Sequence, residues 1–169
     1  MGTKEKLLAL FEENKGIYFS GEAIAEKLSI SRTAVWKAVK SLRNEGYHID
    51  AVQNKGYSLS KETDILSSQG IRKYLKPICS EIELTVLPTV ESTNTLVREK
   101  AAAGAPEGYT IIANNQTKGR GRTGRSFFSP SETGIYMSLL LRPPHCSSQQ
   151  AVKLTTIAAL AVCEAIEAI

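Results

Sequence analysis

The sequence predicts an α+β chain in two parts, and three observations carry that reading. The first sixty residues hold three amphipathic helical stretches, closed by a short alternating run, a turn and a returning run. From about residue 80 the texture changes to apolar strand-like runs around one helical stretch, a mixed α/β pattern. Before the last strand-like run comes Gln116 to Arg125, which holds three glycines, four cations and no acid.

In the first part, Leu7, Leu8, Leu10 and Phe11 recur at helical spacing over 4–13, and Asn14-Lys15-Gly16 stops that helix. A second helix begins near Ser20, with Glu22 and Glu26 outward and Ala23, Ile24 and Leu28 inward. Ser31 is a good N-cap for a third, about 32–45, whose Val35, Ala38, Val39 and Leu42 form its apolar face. The opposite face shows Arg32, Thr33, Trp36, Lys37 and Lys40, and a tryptophan exposed among cations points to a face that meets something. Tyr47 to Val52 then alternates, Gln53-Asn54-Lys55-Gly56 turns and Tyr57-Ser58-Leu59 returns, a hairpin with Lys55 at its tip. Three helices and a hairpin make a winged helix-turn-helix over 1–62, its basic third helix suited to a DNA major groove. Arg32, Thr33, Trp36 and Lys37, next to Ser31, lie where base edges are met, and Lys40, Arg43 and Lys55 suit phosphates. A small protein-interaction module is the other use of this arrangement.

The second domain is expected over 63–169. Residues 61–66 read as a linker, and a short helix from Ser67 or Ser68 to Leu75 is closed by Pro77. Glu81 to Leu87 alternates as a strand. Glu91-Ser92-Thr93-Asn94 opens a helix to about Ala103, where Ser92 or Thr93 alone would first be read as the N-cap. After a turn at 104–108, Tyr109 to Ala113 forms a strand, and the glycine-arginine segment leaves from its end, where ligands sit in sheets with helical crossovers. Ile135 to Leu141 is another strand, stopped by Pro143-Pro144. Ser147 to Gln150 has capping-box spacing, and the final helix aligns Ala151, Leu154, Thr155, Ala158, Val162, Ala165, Ile166 and Ile169. That stripe runs to the last residue without a cap, so the second domain is expected to be incomplete.

Four unpaired charges cannot be buried, and each glycine costs roughly 0.5–1 kcal/mol inside a helix or strand, so 116–125 is a loop. Glycine lets backbone N–H groups approach an anion, and arginine grips phosphate or carboxylate oxygens in pairs. An anion-gripping loop, a flexible basic loop and an RNA-binding patch all fit that composition. Within a net charge of +4, Arg32 to Arg43 and Lys118 to Arg125 each gather four cations and no acid, which points to two anionic partners. No apolar run could span a membrane, the scattered Cys79, Cys146 and Cys163 suit a reducing cytoplasm, and isolated His48 and His145 make no metal site.

Taken together, the chain resembles the bifunctional biotin–protein ligase and biotin operon repressor family. The resemblance rests on Ser20-Gly21-Glu22 through Arg43 with the wing Asn54 to Leu59, on Glu91-Ser92-Thr93-Asn94, and on Gln116-x-x-Gly119-Arg120-Gly121-Arg122-x-Gly124-Arg125 leading into Phe128-Ser129-Pro130. It implies a class II synthetase-like ligase domain. Ser92, Thr93, Asn94 and Gln116 would surround the biotin rings, and Gly119, Arg120, Gly121 and Arg122 would close over biotinyl-5′-AMP, Arg120 and Arg122 as the catalytic pair. Biotin, ATP and Mg²⁺ are the implied small molecules. Operator DNA, the biotin carboxyl carrier domain of acetyl-CoA carboxylase and a second copy in an adenylate-bound homodimer are the implied partners. The family's Lys-Trp-Pro-Asn-Asp segment has no counterpart in these 169 residues, so impaired catalysis is expected of this chain. A ligand-responsive regulator without catalysis is the alternative.

Overall fold

The structure, a computed structural model, describes residues 2–143 and 148–169. Thr3–Glu13 (α1), Gly21–Leu28 (α2) and Arg32–Asn44 (α3) pack around a core of Leu7, Phe11, Ile24, Val35 and Leu42, each at most 1% exposed. The serine caps stand where the residue types predict them. Ser20 Oγ accepts from Ala23 N at 3.0 Å and Ser31 Oγ from Ala34 N at 3.1 Å, satisfying amides that a helix start leaves open. Ala23, expected inward, is exposed; Ile24 and Leu28 set the inner face, and Ala25 is the alanine that packs on it.

Ile49–Val52 (β1) and Gly56–Leu59 (β2) pair antiparallel, with Ile49 opposite Leu59 and Val52 opposite Gly56. The strand starts two residues later than expected because Tyr47 N still donates to Leu42 O in the turn that ends α3. Phe19 and Tyr57 exchange two backbone hydrogen bonds of 2.9 Å, which stitches the wing to the segment capping α2.

In the second part, Ser68–Arg72 (α4) follows its N-cap Ser67 and stops short of the expected Leu75. Leu84–Leu87 (β3), Thr93–Ala102 (α5), Thr110–Ala113 (β4) and Tyr136–Leu139 (β5) follow. The sheet order is β3-β4-β5: β3 runs parallel to β4 across the α5 connection, and β5 is antiparallel to β4. Residues 81–83 drop out of the expected strand because the ladder opens only where Leu84 meets Thr110. Val97 from α5 packs with Tyr109 and Ile111 on one face of the sheet. On the other face Met137 and Leu139 remain half exposed.

Ser148–Glu167 (α6) is a helix, but among the described residues its expected stripe forms no part of a buried core. Leu154 is half buried, while Val162, Ile166 and Ile169 face solvent. Pro144 and Ser147, expected to stop β5 and to cap α6, lie outside the described residues. Among the described residues no helix is long and apolar enough to cross a membrane.

The two parts meet through a buried carboxylate. Glu12 of α1, its side chain 2% exposed, receives Lys73 Nζ at 3.1 Å and Lys15 Nζ at 3.4 Å, while Lys15 also donates to Thr63 O at 2.6 Å. Glu12→Ala would leave both ammonium groups facing a shell built for a carboxylate. It is expected to lower unfolding free energy by about 1–3 kcal/mol, read from urea denaturation, because the lysines can partly swing out to water.

The same cluster sets an alkaline limit. Burial lowers the Lys73 pKa, but its hydrogen bond to Glu12 and the charges of Glu12 and Tyr74 outweigh that, so the net shift is upward from 10.5. Burial pushes the Tyr47 phenol above 10.0, helped by Glu12 and Glu45 and opposed by a hydrogen bond with Ser67. Both folded-state values are raised, so both groups contribute stability in full below their ordinary values and lose it as pH climbs through the folded ones. The melting temperature is therefore expected to fall above about pH 10. A flat profile to about pH 11 would contradict this account.

Candidate functional site

The segment after β4 is not an open loop. It runs out and back as an irregular hairpin: Gln116 N donates to Ser129 O at 2.9 Å, Phe127 N to Gly119 O at 2.8 Å and Gly121 N to Arg125 O at 2.7 Å. Thr123 (φ 56°) and Gly124 (φ 77°) reverse the chain at the tip. Gly119 is buried, and a Cβ there would lie 2.5 Å from Ser129 Oγ and collide with Phe127 O. The glycine expected to admit an anion thus admits the returning strand of its own hairpin.

A chain of side-chain hydrogen bonds roots the hairpin in the sheet and in α5. Gln116 Oε1 accepts from Thr93 N at 2.8 Å and Thr93 Oγ1 at 3.1 Å, and Gln116 Nε2 donates to Ser129 Oγ at 3.1 Å. Ser138 Oγ of β5 donates to Thr93 Oγ1 at 2.9 Å. Ser92 Oγ caps α5 through Thr95 N at 3.5 Å. The hairpin, α5 and β5 converge on this network, with Ser92, Thr93 and Ser129 each 3% exposed.

In front of the network opens a cleft of about 1040 Å³, lined by Asn94 and Arg98 of α5 and by Arg120 through Phe127 of the hairpin. The structure brings Asn94, Arg120, Gly121 and Arg122 together there, whereas Ser92, Thr93, Gln116 and Gly119 do not line it. Four guanidinium groups border the cleft, from Arg98, Arg120, Arg122 and Arg125, and no carboxylate does. Lys118, the remaining cation of the segment, is paired to Glu91 at 2.8 Å instead; both side chains are about two-thirds exposed, so that pair adds little stability. The sequence reading missed Ser138, because a strand residue's partner depends on long-range register. It also missed Arg98, which stands one helical turn after Asn94, a spacing that could have revealed it.

The second cleft, about 760 Å³, lies between α3 and the wing and is lined by Arg32, Thr33 and Trp36 on one side and Val52, Gln53 and Asn54 on the other. Trp36 is 53% exposed with Lys40 Nζ 5.2 Å from its ring centre, and Lys55 Nζ stands 5.9 Å from the Tyr18 ring. Lys37 is exposed on α3, and Ser31 Oγ is engaged as the cap. Arg43 Nε donates to Ile49 O at 2.8 Å, joined there by Nη2, so its side chain clasps β1 to α3 while remaining exposed.

An HTH domain model matches residues 3–58, and the biotin/lipoate A/B protein ligase family model matches residues 86–169. The Bifunctional ligase/repressor BirA of Bacillus spizizenii is 41% identical over 98% of this chain, and its namesake in Bacillus subtilis 40% identical over 97%. The chain belongs to the bifunctional biotin ligase and repressor family. It spans about half the length of the curated relatives it matches, covering 50% of each Bacillus protein and 40% of the Escherichia coli protein of the same name, which is 34% identical over 81% of this chain. A solved biotin protein ligase of Leishmania major in complex with biotinyl-5-AMP is 28% identical, with a TM-score of 0.36 over 47% of this chain and 29% of that one. In family terms, residues 59–85 lie between the two matched regions and hold the linker, α4 and the start of β3.

Proposed function

We propose that the second domain, from about residue 63, joins biotin and ATP as biotinyl-5′-AMP and passes the biotinyl group to a carboxylase carrier lysine, while the first holds operator DNA. The arginine-lined cleft beside Asn94 carries this reading, because it presents several guanidinium groups and no competing acid to an anionic ligand. In the first step a carboxylate oxygen of biotin bonds to the α-phosphorus of ATP, the bond to the bridging oxygen breaks, and pyrophosphate leaves with the electron pair. In the second the carrier amine attacks the acyl carbon and AMP departs.

Neither step needs a covalent bond to the protein, so positioning and charge stabilisation carry the rate. Arg120 and Arg122 face the carboxylate and the α-phosphate in this reading. Asn94 meets the ligand directly. Ser92, Thr93 and Gln116, set behind the cleft and hydrogen-bonded in the free protein, are assigned to the ureido ring in this reading, which requires Thr93 and Gln116 to exchange part of their mutual hydrogen bonding for the ligand. Mg²⁺ does not fit this cleft by itself. No carboxylate lines it, and no cluster of three acid, histidine or cysteine side chains occurs among the described residues.

At the other end, Arg32, Thr33 and Trp36 reach base edges while Lys37, Lys40 and Lys55 hold phosphates. Pairing of two adenylate-bound copies would bring two such heads to two half-sites, as a two-fold dimer requires. The reading places the protein in the cytoplasm.

Calorimetry on this chain is expected to register heat with biotin and a larger response with biotinyl-5′-AMP; silence with both would end the ligase reading. Arg120→Ala is expected to weaken retention of the adenylate by about 1.5–3 kcal/mol, the worth of lost charge-assisted hydrogen bonds. An unchanged dissociation rate of labelled adenylate would remove Arg120 from the site.

A further inference from the structure

The cleft holds more positive charge than the adenylate can use. An acyl-adenylate presents one phosphate charge, and Arg120 and Arg122 already face it in the proposal above, on which this inference rests. Arg98 and Arg125 line the same space, no acid neutralises them there, and neither forms an ion pair among the described residues. Excess cation concentrated in a cleft selects an anion of higher charge than the product. The reaction handles two such species, the triphosphate that enters and the pyrophosphate that leaves.

Arg98 differs from the other three in where it is mounted. Arg120, Arg122 and Arg125 sit on the hairpin, whereas Arg98 projects from α5, a ten-residue helix tied by its Thr93 to Gln116 and Ser138. It lies four residues after Asn94, so both point to the same side of the helix, into the cleft. A guanidinium on a rigid element can hold the far end of a polyphosphate whatever the hairpin does.

We infer that Arg98 is the contact for the β- and γ-phosphates of ATP and holds the departing pyrophosphate, leaving the hairpin arginines to the α-phosphate. No proton moves at Arg98. The bond from the α-phosphorus to the bridging oxygen breaks toward the pyrophosphate, and the guanidinium offsets the charge gathering on that oxygen.

The test is calorimetric titration of inorganic pyrophosphate into this chain, with biotin titrated separately. Arg98→Ala is expected to weaken pyrophosphate binding roughly ten- to a hundredfold and leave biotin affinity unchanged, with Arg98→Lys in between. Lys100→Ala removes the same charge from an exposed α5 position outside the cleft and should change pyrophosphate binding less than about twofold. Arg98 is exposed, so circular dichroism of each variant should match wild type. Unchanged binding in Arg98→Ala, an equal loss in Lys100→Ala, or a wild-type chain that binds biotin but not pyrophosphate would each overturn the assignment while leaving the ligase reading intact. A chain that binds neither would overturn both.

Discussion

Gly56→Ala is expected to destabilise the N-terminal domain by about 2–6 kcal/mol and to release the wing from α3. Two costs combine. The backbone at Gly56 has φ +98°, outside what a residue with a Cβ adopts comfortably, which accounts for about 1–3 kcal/mol. The added carbon would also lie 2.6 Å from Ser20 Cα and 2.6 Å from Phe19 C and would strike Phe19 O. Those atoms are backbone, fixed by the paired Phe19 and Tyr57 hydrogen bonds, so they cannot move aside without breaking β2 away. Overpacking of that kind costs about another 1–3 kcal/mol. Gly104→Ala separates the two contributions, since Gly104 has φ +92° and no atom lies within 4 Å of where the alanine methyl would stand. Urea denaturation should show Gly104→Ala well above Gly56→Ala in midpoint. Equal losses would mean that the collision contributes nothing. Fluorescence of Trp36, which lines the cleft between α3 and the wing, should report the wing's release.

Local chemistry made the first domain legible. Ser20 and Ser31 cap helices because their side chains satisfy nearby amides, and the apolar spacing of Val35, Ala38, Val39 and Leu42 is a property of one helix alone. The second domain was legible in its order of elements and in its motif, and less so in its contacts. Ser138 reaches Thr93 only because β5 pairs with β4 in the register that sets Ser138 opposite Ile111, a distance of 45 residues from its partner. No local pattern carries such information. Arg43 shows a related limit: its place on the basic helix suggests a phosphate contact, and no local pattern shows that its guanidinium also reaches the carbonyl of Ile49. Glu12 is buried although charged because the fold sets Lys73, 61 residues away, against it. The α6 stripe was read correctly as apolar, but periodicity says only that a face is available, not what lies on it.

Gly119→Ala decides between two reasons for glycine in the arginine segment. If glycines there let backbone approach an anion, Gly121, which lines the cleft, should be the intolerant position. If they let the hairpin close on itself, Gly119 should be, because its Cβ would meet Phe127 O and lie 2.5 Å from Ser129 Oγ. A Cβ at Gly121 would come no closer than 3.3 Å to Arg125 O, a contact that a shift of a few tenths of an ångström relieves. Gly119→Ala must instead break the 2.8 Å bond from Phe127 N and part Gln116 from Ser129, which frees Gln116 from Thr93 and loosens the whole root of the cleft. Binding of biotinyl-5′-AMP is therefore expected to fall at least about a hundredfold in Gly119→Ala, from about 3 kcal/mol of lost hairpin closure, and by less than about tenfold in Gly121→Ala. The reverse order would show that the ligand, not the returning strand, presses closest on this backbone, and Gly121 rather than Gly119 would then mark the phosphate.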